Sequence, residues 1–318
     1  MSAHWRQRPE GGGRFALWLI RTIALYGGRG LARLILYPIT LYFFIRRGPE
    51  RAASRAFLRR IGKHPVHAGH VLKHIHCFAS TILDRVFFLA RGEDSFEIRA
   101  QGLEALEAKL GEGRGVLLLG SHHGSFEALR TLSSRRPDVP LRVVLNKQQT
   151  PAMTELLESL APDVAAGVID GARDPASVVL ALAEAASQGH MIAVLADRGR
   201  PDEPMRHAPF LGDPAPFPVG PWLLANALKI PVVLCFGVYR GGNRYELTFE
   251  PFADTVEFPR ERREAALQAC VNAYAERLEA QVRNAPYNWF NFYDFWHDHQ
   301  ADGLHAGADA GLGSGARA

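Results

Sequence analysis

The sequence predicts an α/β protein with a mostly parallel central sheet flanked by helices. Short, unbroken apolar runs such as VLLLG (116–120) and MIAVLAD (191–197) each end at a turn, as strands buried on both faces do. Stretches with helical spacing of apolar residues lie between these runs, and strands that alternate with helices indicate a parallel sheet. The chain of 318 residues is 47% hydrophobic and 22% charged. These proportions are typical of a folded protein and exclude a disordered one.

The elements follow in order along the chain. A helical stretch is expected over 56–91, followed by a strand at FEIRA (96–100) and a helix at 103–110. Four further helices are expected near residues 125–133, 151–160, 175–188 and 260–283. The strands expected after VLLLG are 141–146, 166–170, 191–197, 231–239 and 245–250. The tail, 301–318, is rich in Gly and Ala and has little to bury, so we expect it to be disordered.

Positive charge is concentrated at the amino-terminal end. Residues 1–63 carry 13 Lys and Arg against two acids, whereas the rest of the chain carries 24 against 31. The apolar runs 15–26 and 34–45 lie in this basic region, and both are shorter than the ~20 apolar residues of a spanning helix. We therefore predict that residues 1–55 are a segment of membrane-interfacial helices on an anionic membrane surface, and that 56–300 form the α/β domain. Packing of these helices on the domain's own core is the alternative.

The same charge distribution bears on the partners. A nucleic-acid-binding protein would rarely confine its positive charge to one apolar end, so nucleic acid is not an expected partner. The side chains expected to contact the membrane or an acyl chain are Trp18, Arg21, Arg33, Arg46 and Arg47.

Two loops that follow predicted strands carry unusual residues. SHHGSFE (121–127) follows VLLLG, and Asp197 and Arg198 follow MIAVLA. Ligands of open α/β sheets bind beyond the carboxyl ends of the strands, so both loops are candidate site regions.

His122 and Glu127 are a candidate base and its orienter. Their spacing would let the carboxylate turn back toward the imidazole, fix its tautomer and stabilise the imidazolium. Because no nucleophile of the protein accompanies this pair, we expect a substrate hydroxyl to be the attacking group. His123 is the alternative base, and a cap in which Ser125 and Glu127 merely start a helix is the structural alternative.

The first loop also resembles a known motif. GVLLLGSHHGSFEALR (115–130) is similar to the H-x4-D/E motif of the lysophospholipid acyltransferase superfamily. It is particularly similar to the motif of the lipid A late acyltransferases of the lauroyl/myristoyl class, which ends in Glu. Residues 194–240 resemble the same family, with Asp197 at a strand end, a PFFG-like loop at 209–212, a helix led by Gly220 and a P-V-V strand that ends in Arg.

This resemblance implies a glycerolphosphate/lysophospholipid acyltransferase-like fold and acyl transfer from a thioester to a hydroxyl. His122 would act as the base and Glu127 would hold it, with the oxyanion stabilised by backbone N–H groups at 124–126 and by Arg198. The remaining substrate-side residues that it implies are Ser125, Asp197 and either Lys147 or Arg173.

The resemblance also implies the partners and the location. The donor would be acyl carrier protein or acyl-coenzyme A, and the acceptor a membrane lipid or glycolipid. The enzyme would work at the cytoplasmic face of a bacterial inner membrane, without a metal or redox cofactor. Arginines of the amino-terminal segment would offer a basic patch to an acidic carrier protein.

The closing segment, APYNWFNFYDFW (285–296), is more aromatic than the end of a typical lipid A enzyme. It resembles a subgroup of predicted bacterial acyltransferases associated with aryl polyene and related pigment-lipid pathways, which points to an acceptor other than lipid A. We expect this aromatic run to pack at the sheet edge, with an interfacial belt as the alternative.

Two other classes of function remain open. One is a metal-dependent hydrolase that uses His122, His123 and Asp197, and the other is a non-catalytic membrane-associated scaffold. A histidine-rich stretch over 64–77 lacks H-E-x-x-H spacing, so it predicts an interfacial or substrate-side helix and not a metal site.

Overall fold

The computed structural model describes residues 14–62, 64–92, 94–130, 138–148, 151–199 and 203–296. The tail at 301–318, which is expected to be disordered, lies outside the described residues. The α-helices of the described part are α1 (Arg14–Arg46), α2 (Gly48–Arg60), α3 (Ala68–Arg91), α4 (Leu103–Gly111), α5 (Pro151–Leu160), α6 (Pro162–Ala166), α7 (Pro175–Ser187), α8 (Gly220–Leu228) and α9 (Arg263–Asn284). The strands are β1 (Glu97–Gln101), β2 (Val116–Gly120), β3 (Leu141–Leu145), β4 (Val168–Asp170), β5 (Met191–Leu195), β6 (Met205–Phe210), β7 (Asp213–Pro218), β8 (Val232–Gly241) and β9 (Arg244–Ala253).

Seven of the strands form one sheet in the order β1-β9-β8-β2-β5-β3-β4. Strands β8, β2, β5, β3 and β4 are mutually parallel, while β9 is antiparallel to β8 and parallel to β1. The prediction of a mostly parallel sheet flanked by helices is confirmed. Because β2 and β5 are parallel neighbours, the loops that follow them meet at one edge of the sheet.

Alternate residues of β2 enter two separate cores. Leu117 and Leu119 lie in the larger core, and Val116 and Leu118 lie in the smaller core on the other face of the sheet. All four side chains are fully buried. A strand that is covered on both faces has no polar side to show, which is why VLLLG reads as an unbroken apolar run.

A β-hairpin, β6–β7, occupies a region for which the sequence predicts a loop. The two strands pair antiparallel and form a separate two-stranded sheet. Proline stands at four of their positions, and a proline-rich run argues against a strand. A two-stranded ribbon has only edge strands, so the missing N–H groups interrupt no central ladder. The hairpin packs on the closing segment, where the Trp296 indole N–H donates to the Phe210 carbonyl at 3.3 Å.

Helix α1 is interrupted at Gly28, whose φ of 75° and ψ of 168° are not helical. This break agrees with the two short amino-terminal helices that the sequence predicts. After it, Ala32 and Leu36 pack against α3, while apolar side chains on the opposite face stay exposed. We call that exposed face the α1 apolar face: Leu31, Leu34, Tyr37, Leu41, Tyr42 and Ile45. Within the described ranges, no helix is both long and apolar enough to cross a membrane.

A buried carboxylate, Asp84 of α3, ties α1 to the sheet. Arg29 donates to both of its oxygens at 2.9 and 3.0 Å, and Arg33 donates to Oδ2 at 2.6 Å. The Tyr245 hydroxyl of β9 donates to the same Oδ2 at 2.8 Å. Arg33, which the sequence predicts to contact lipid, is therefore turned into the protein, where a fully buried acid outcompetes water for its guanidinium.

The other predicted membrane-contact residues are placed differently. Arg46 is exposed at the end of α1, and Arg47 lies 3.6 Å from the carboxylate of Glu50. Trp18 and Arg21 lie on α1 before Gly28, and their contacts stay predictions.

Candidate active site

The site is built around His122, in the loop that follows β2. The His122 ring Nδ1 lies 2.8 Å from Asp197 Oδ1, and the His122 backbone N–H donates to Asp197 Oδ2 at 3.0 Å. Asp197 follows β5, so the two residues meet because their strands are parallel neighbours. The sequence predicts both loops at this edge, with Glu127 as the orienter of His122. In the structure, the carboxylate bonded to His122 is that of Asp197.

Charge and burial set the protonation of this pair. Burial alone would raise the pKa of Asp197, but the charges of His122 and Arg198 and the hydrogen bonds from His122 outweigh it and lower the pKa to about 2. Removal from water lowers the pKa of His122, and the charge of Arg198 lowers it further, although Asp197 opposes both. A charged Asp197 is an acceptor only, so the neutral imidazole must carry its proton on Nδ1.

The other ring nitrogen is thereby left as a base. The His122 side chain is 39% exposed, and among the described residues Nε2 has no hydrogen-bond partner. The His122 carbonyl accepts from the Phe290 N–H at 3.1 Å, so the loop is fixed on both sides of the ring. A fixed imidazole with an open Nε2 lone pair can accept a proton from a bound hydroxyl.

Glu127 has other partners. Its carboxylate is buried, with Oε1 2.6 Å from Arg85 Nε and Oε2 accepting from the Ser125 hydroxyl at 3.2 Å. Glu127 begins a short 3₁₀ turn, Glu127–Arg130, which lies in contact with α3. The five-residue spacing from His122 predicts a partner within the loop, whereas the ion pair of this carboxylate is with a cation 42 positions earlier in the chain.

The backbone donors expected for an oxyanion are in use. The Gly124 N–H donates to the Asn288 carbonyl at 2.8 Å, and the Ser125 N–H donates to the Gly237 carbonyl at 2.7 Å. Ser125 is also buried, so neither its amide nor its hydroxyl is presented to a substrate. This part of the expected oxyanion site is wrong, because the loop crosses β8 too closely to leave those amides unpaired.

His123 is a structural histidine. It is 1% exposed, its Nε2 lies 3.1 Å from the Ala285 carbonyl, and burial lowers its pKa to about 4. A ring with this burial cannot reach a substrate, which leaves His122 as the candidate base of the doublet. In the described part of the chain, no three His, Cys, Asp or Glu side chains are arranged to hold a metal ion. The alternative of a metal-dependent hydrolase therefore loses His123 as a metal ligand, because that ring is buried and bonded to the Ala285 carbonyl.

The closing segment, 285–296, is packed into the protein beside the site. Arg198 donates from Nη2 to the Phe290 carbonyl at 2.7 Å, its guanidinium lies 5.3 Å from the centroid of the Tyr293 ring, and its Nε is 3.7 Å from Asp197 Oδ2. The Asn288 side chain accepts from the Tyr239 N–H at 2.8 Å and donates to the Tyr239 carbonyl at 3.1 Å. These bonds join the segment to β8 and to the pair formed by His122 and Asp197, which we call the dyad.

The histidine-rich stretch forms the first half of α3. His74 is fully buried, with Nδ1 2.8 Å from the Ser54 hydroxyl and Nε2 2.9 Å from the Trp289 carbonyl. His67 and His70 interact with each other at the start of the helix. His74 therefore supports the closing segment from inside the protein, which the prediction of an interfacial or substrate-side helix did not include.

Lys147 and Arg173 lie farther along the sheet edge. Their backbone N–H groups donate to Asp170, to Oδ1 at 3.2 Å and to the carbonyl at 3.3 Å respectively. Lys147 follows β3 and Arg173 follows β4, so they are two and three strands from β2, or roughly 10 and 15 Å at ~4.8 Å per strand. A substrate role for either residue stays a prediction.

Sequence reasoning missed three residues that contact the site: Arg85, Asn288 and Phe290. Arg85 carried no signal because it stands within a long amphipathic helix, where an arginine usually faces water. The closing segment, which holds Asn288 and Phe290, does carry a signal, because it is far richer in aromatic residues than a surface loop. Its aromatic content alone does not show which strand end the segment covers.

Comparison with known proteins identifies the family. The family model described as bacterial lipid A biosynthesis acyltransferase matches residues 78–298, which include the dyad, Glu127 and the closing segment. A search of curated proteins found no match to the chain. Since the matched residues make up more than half of the sequence, the chain belongs to the bacterial lipid A biosynthesis acyltransferase family.

Proposed function

We propose that the protein transfers a fatty acyl group from a thioester donor to a hydroxyl of a membrane lipid or glycolipid. The observation that carries this proposal is the 2.8 Å contact between His122 Nδ1 and a fully buried, charged Asp197, which leaves Nε2 as the base. The donor is acyl carrier protein or acyl-coenzyme A, and the family that the chain belongs to favours a lipid acceptor.

The reaction needs no nucleophile of the protein. His122 Nε2 takes the proton of the acceptor hydroxyl while the hydroxyl oxygen bonds to the thioester carbonyl carbon. The carbonyl π electrons move onto the carbonyl oxygen. When the carbonyl re-forms, the carbon–sulfur bond breaks, and the thiolate takes the proton from His122. Asp197 holds the ring and offsets the imidazolium charge between these steps.

An aromatic surface beside His122 supports a long acyl chain as the transferred group. Phe78 of α3 is partly exposed, and its ring lies 5.2 Å from Phe290 and 5.4 Å from Phe292, centroid to centroid. Phe290 is bonded to the His122 carbonyl through its own N–H. The apolar surface thus approaches His122 from the side of α3.

The α1 apolar face supports contact with a membrane, and the basic amino-terminal region favours an anionic one. We place the protein at the cytoplasmic face of a bacterial inner membrane, where acyl thioesters are made. The acceptor of a pigment-lipid pathway, which the closing segment predicts, stays a prediction.

The test is transfer of a labelled dodecanoyl group into a bacterial lipid extract, with the carrier-protein and coenzyme A thioesters offered separately. His122→Ala is expected to reduce the rate about 10³-fold or more, since a positioned base contributes roughly 10²–10⁴. His207→Ala, which removes an exposed histidine outside the site, is the matched control and should transfer like the wild type. Full transfer by His122→Ala, or release of label only as free acid in a chelator-sensitive manner, would contradict the proposal.

A further inference from the structure

The proposed reaction places a negative charge on the thioester oxygen, and the site must supply a donor for it. The amides of Gly124 and Ser125 are unsuitable, because they already donate to the Asn288 and Gly237 carbonyls. Two of the amides expected at 124–126 are thus occupied, and a cationic side chain near His122 is the other kind of donor that can stabilise an oxyanion.

Arg198 is poorly suited to that task. Its side chain is 13% exposed, it donates to the Phe290 carbonyl, and it packs on the Tyr293 ring. Moving it toward a substrate would release the closing segment from the dyad. Its geometry is that of a structural cation that holds Phe290 against the Asp197 loop.

Arg85 is better placed. It projects from α3 to Glu127, and its side chain is 28% exposed although the carboxylate that holds it is 7% exposed. The Ser125 hydroxyl donates to the other Glu127 oxygen. Glu127 is therefore held by the loop that follows β2 (121–127), which we call the catalytic loop, and Arg85 is held by Glu127. The charge of Arg85 also lowers the pKa of His122, which is an effect of a nearby cation.

We propose that Arg85 is a catalytic residue that stabilises the thioester oxyanion, and that Glu127 is a positioning residue that holds Arg85 instead of His122. The inference rests on the acyl transfer proposed above. As the carbonyl π electrons move onto oxygen, the guanidinium donates a charge-assisted hydrogen bond to it, and this bond weakens again when the carbonyl re-forms and the thiolate leaves. Glu127, the acid of the H-x4-E motif, then supports the thioester carbonyl through Arg85, and Asp197 alone orients His122.

The inference is tested with Arg85→Met, Arg85→Lys, Glu127→Gln and the double variant Arg85→Met/Glu127→Gln, in the dodecanoyl transfer assay. Each charge-removing single variant is expected to lower kcat about 10²–10³-fold with little change in KM. Arg85→Lys should recover part of the loss, because it keeps the charge without the planar fork. The double variant should regain the Tm that each single variant loses, since it leaves no unpaired buried charge, but its kcat should stay low.

A purely structural ion pair behaves differently, and one control shows how. Arg277→Met/Glu250→Gln removes a 2.9 Å ion pair between α9 and β9 and should leave kcat at the wild-type value. If kcat returns together with Tm in Arg85→Met/Glu127→Gln, the pair is structural and the inference is wrong.

A second measurement does not depend on turnover. In ¹⁵N-histidine-labelled protein, Asp197→Asn should change the His122 ring signals that report its tautomer, and Glu127→Gln should leave that tautomer unchanged. Equal changes in both variants would overturn the role given to Glu127. His122→Ala separates the two proposals: if it transfers normally, acyl transfer by this dyad fails as a whole, whereas normal transfer by Arg85→Met alone removes only the oxyanion role.

Discussion

Gly124 shows how one residue shapes the catalytic loop. Its φ is +83°, and a Cβ atom built there would lie 2.0 Å from the Gly237 carbonyl oxygen of β8. Only glycine permits both this conformation and this approach, and the approach is what lets the Ser125 N–H bond to that same oxygen. This contact with β8 fixes the loop two residues after His122, whose ring is directed to Asp197.

We therefore expect Gly124→Ala to lower the free energy of unfolding by about 2–5 kcal/mol. The left-handed backbone contributes ~1–2 kcal/mol of this loss, and the overlap with Gly237 contributes ~1–3 kcal/mol. Denaturant titration measures it, and Gly113→Ala is the matched control, because Gly113 has a φ of +73° but open space around its Cβ position. Equal losses in the two variants would show that the contact with β8 does not constrain the loop.

At the scale of single elements, α1 joins two environments. One side is fixed to the protein by the pairs of Arg29 and Arg33 with Asp84, and the other side is the α1 apolar face. Apolar side chains at helical spacing on an exposed side are typical of helices that lie in a membrane interface. The ion pairs hold this face in a fixed direction relative to the sheet.

The triple variant Leu34→Ser/Tyr37→Ser/Ile45→Ser should bind vesicles more weakly. If each side chain contributes only ~1 kcal/mol, less than the ~1.5–3 of full burial, the partition coefficient falls about 100-fold. Co-sedimentation with phosphatidylethanolamine/phosphatidylglycerol vesicles measures it. Val179→Ser/Leu180→Ser on α7 removes exposed apolar side chains elsewhere and should bind like the wild type. Unchanged binding of the triple variant would leave the α1 apolar face without a role at the membrane.

An element can be predicted from the sequence when its own residues show its environment, and cannot when its contacts are with distant parts of the chain. The strands β2 and β5 are predictable because burial on both faces produces an unbroken apolar run, and a parallel sheet brings their following loops together. The pairing of Glu127 is not predictable, because its partner Arg85 stands on a helix whose position relative to the loop depends on the whole fold. The β6–β7 hairpin is hidden by its prolines, which are acceptable only because both of its strands are edges.

In the molecule as a whole, two buried, neutral histidines lie where α3 and the catalytic loop meet the segment that follows α9. His74 joins α3 to the closing segment, and His123 joins the catalytic loop to the Ala285 carbonyl. Burial lowers the pKa of each to about 4, below the ordinary value of 6.5. Neither ring can take up a proton in the folded chain until the pH approaches that lower value.

The folded protein should therefore lose stability between about pH 6.5 and pH 4. Over this range the unfolded chain binds protons at both histidines and the folded chain does not, so acidification favours unfolding. A depression of this size corresponds to about 3 kcal/mol for each residue. Above pH 6.5 both rings are neutral in both states, and this contribution to the pH dependence disappears.

Thermal unfolding at pH 7.5 and pH 5.0 measures the effect, with His74→Gln as the variant. His74→Gln is expected to lower Tm at pH 7.5, because the bonds to Ser54 and Trp289 are disturbed, but its Tm should fall less on acidification than that of the wild type. His67→Gln changes an exposed histidine of the same stretch and should keep the wild-type difference between the two pH values. If Tm falls by the same amount in His74→Gln as in the wild type, then burial of His74 does not control the acid sensitivity of the junction.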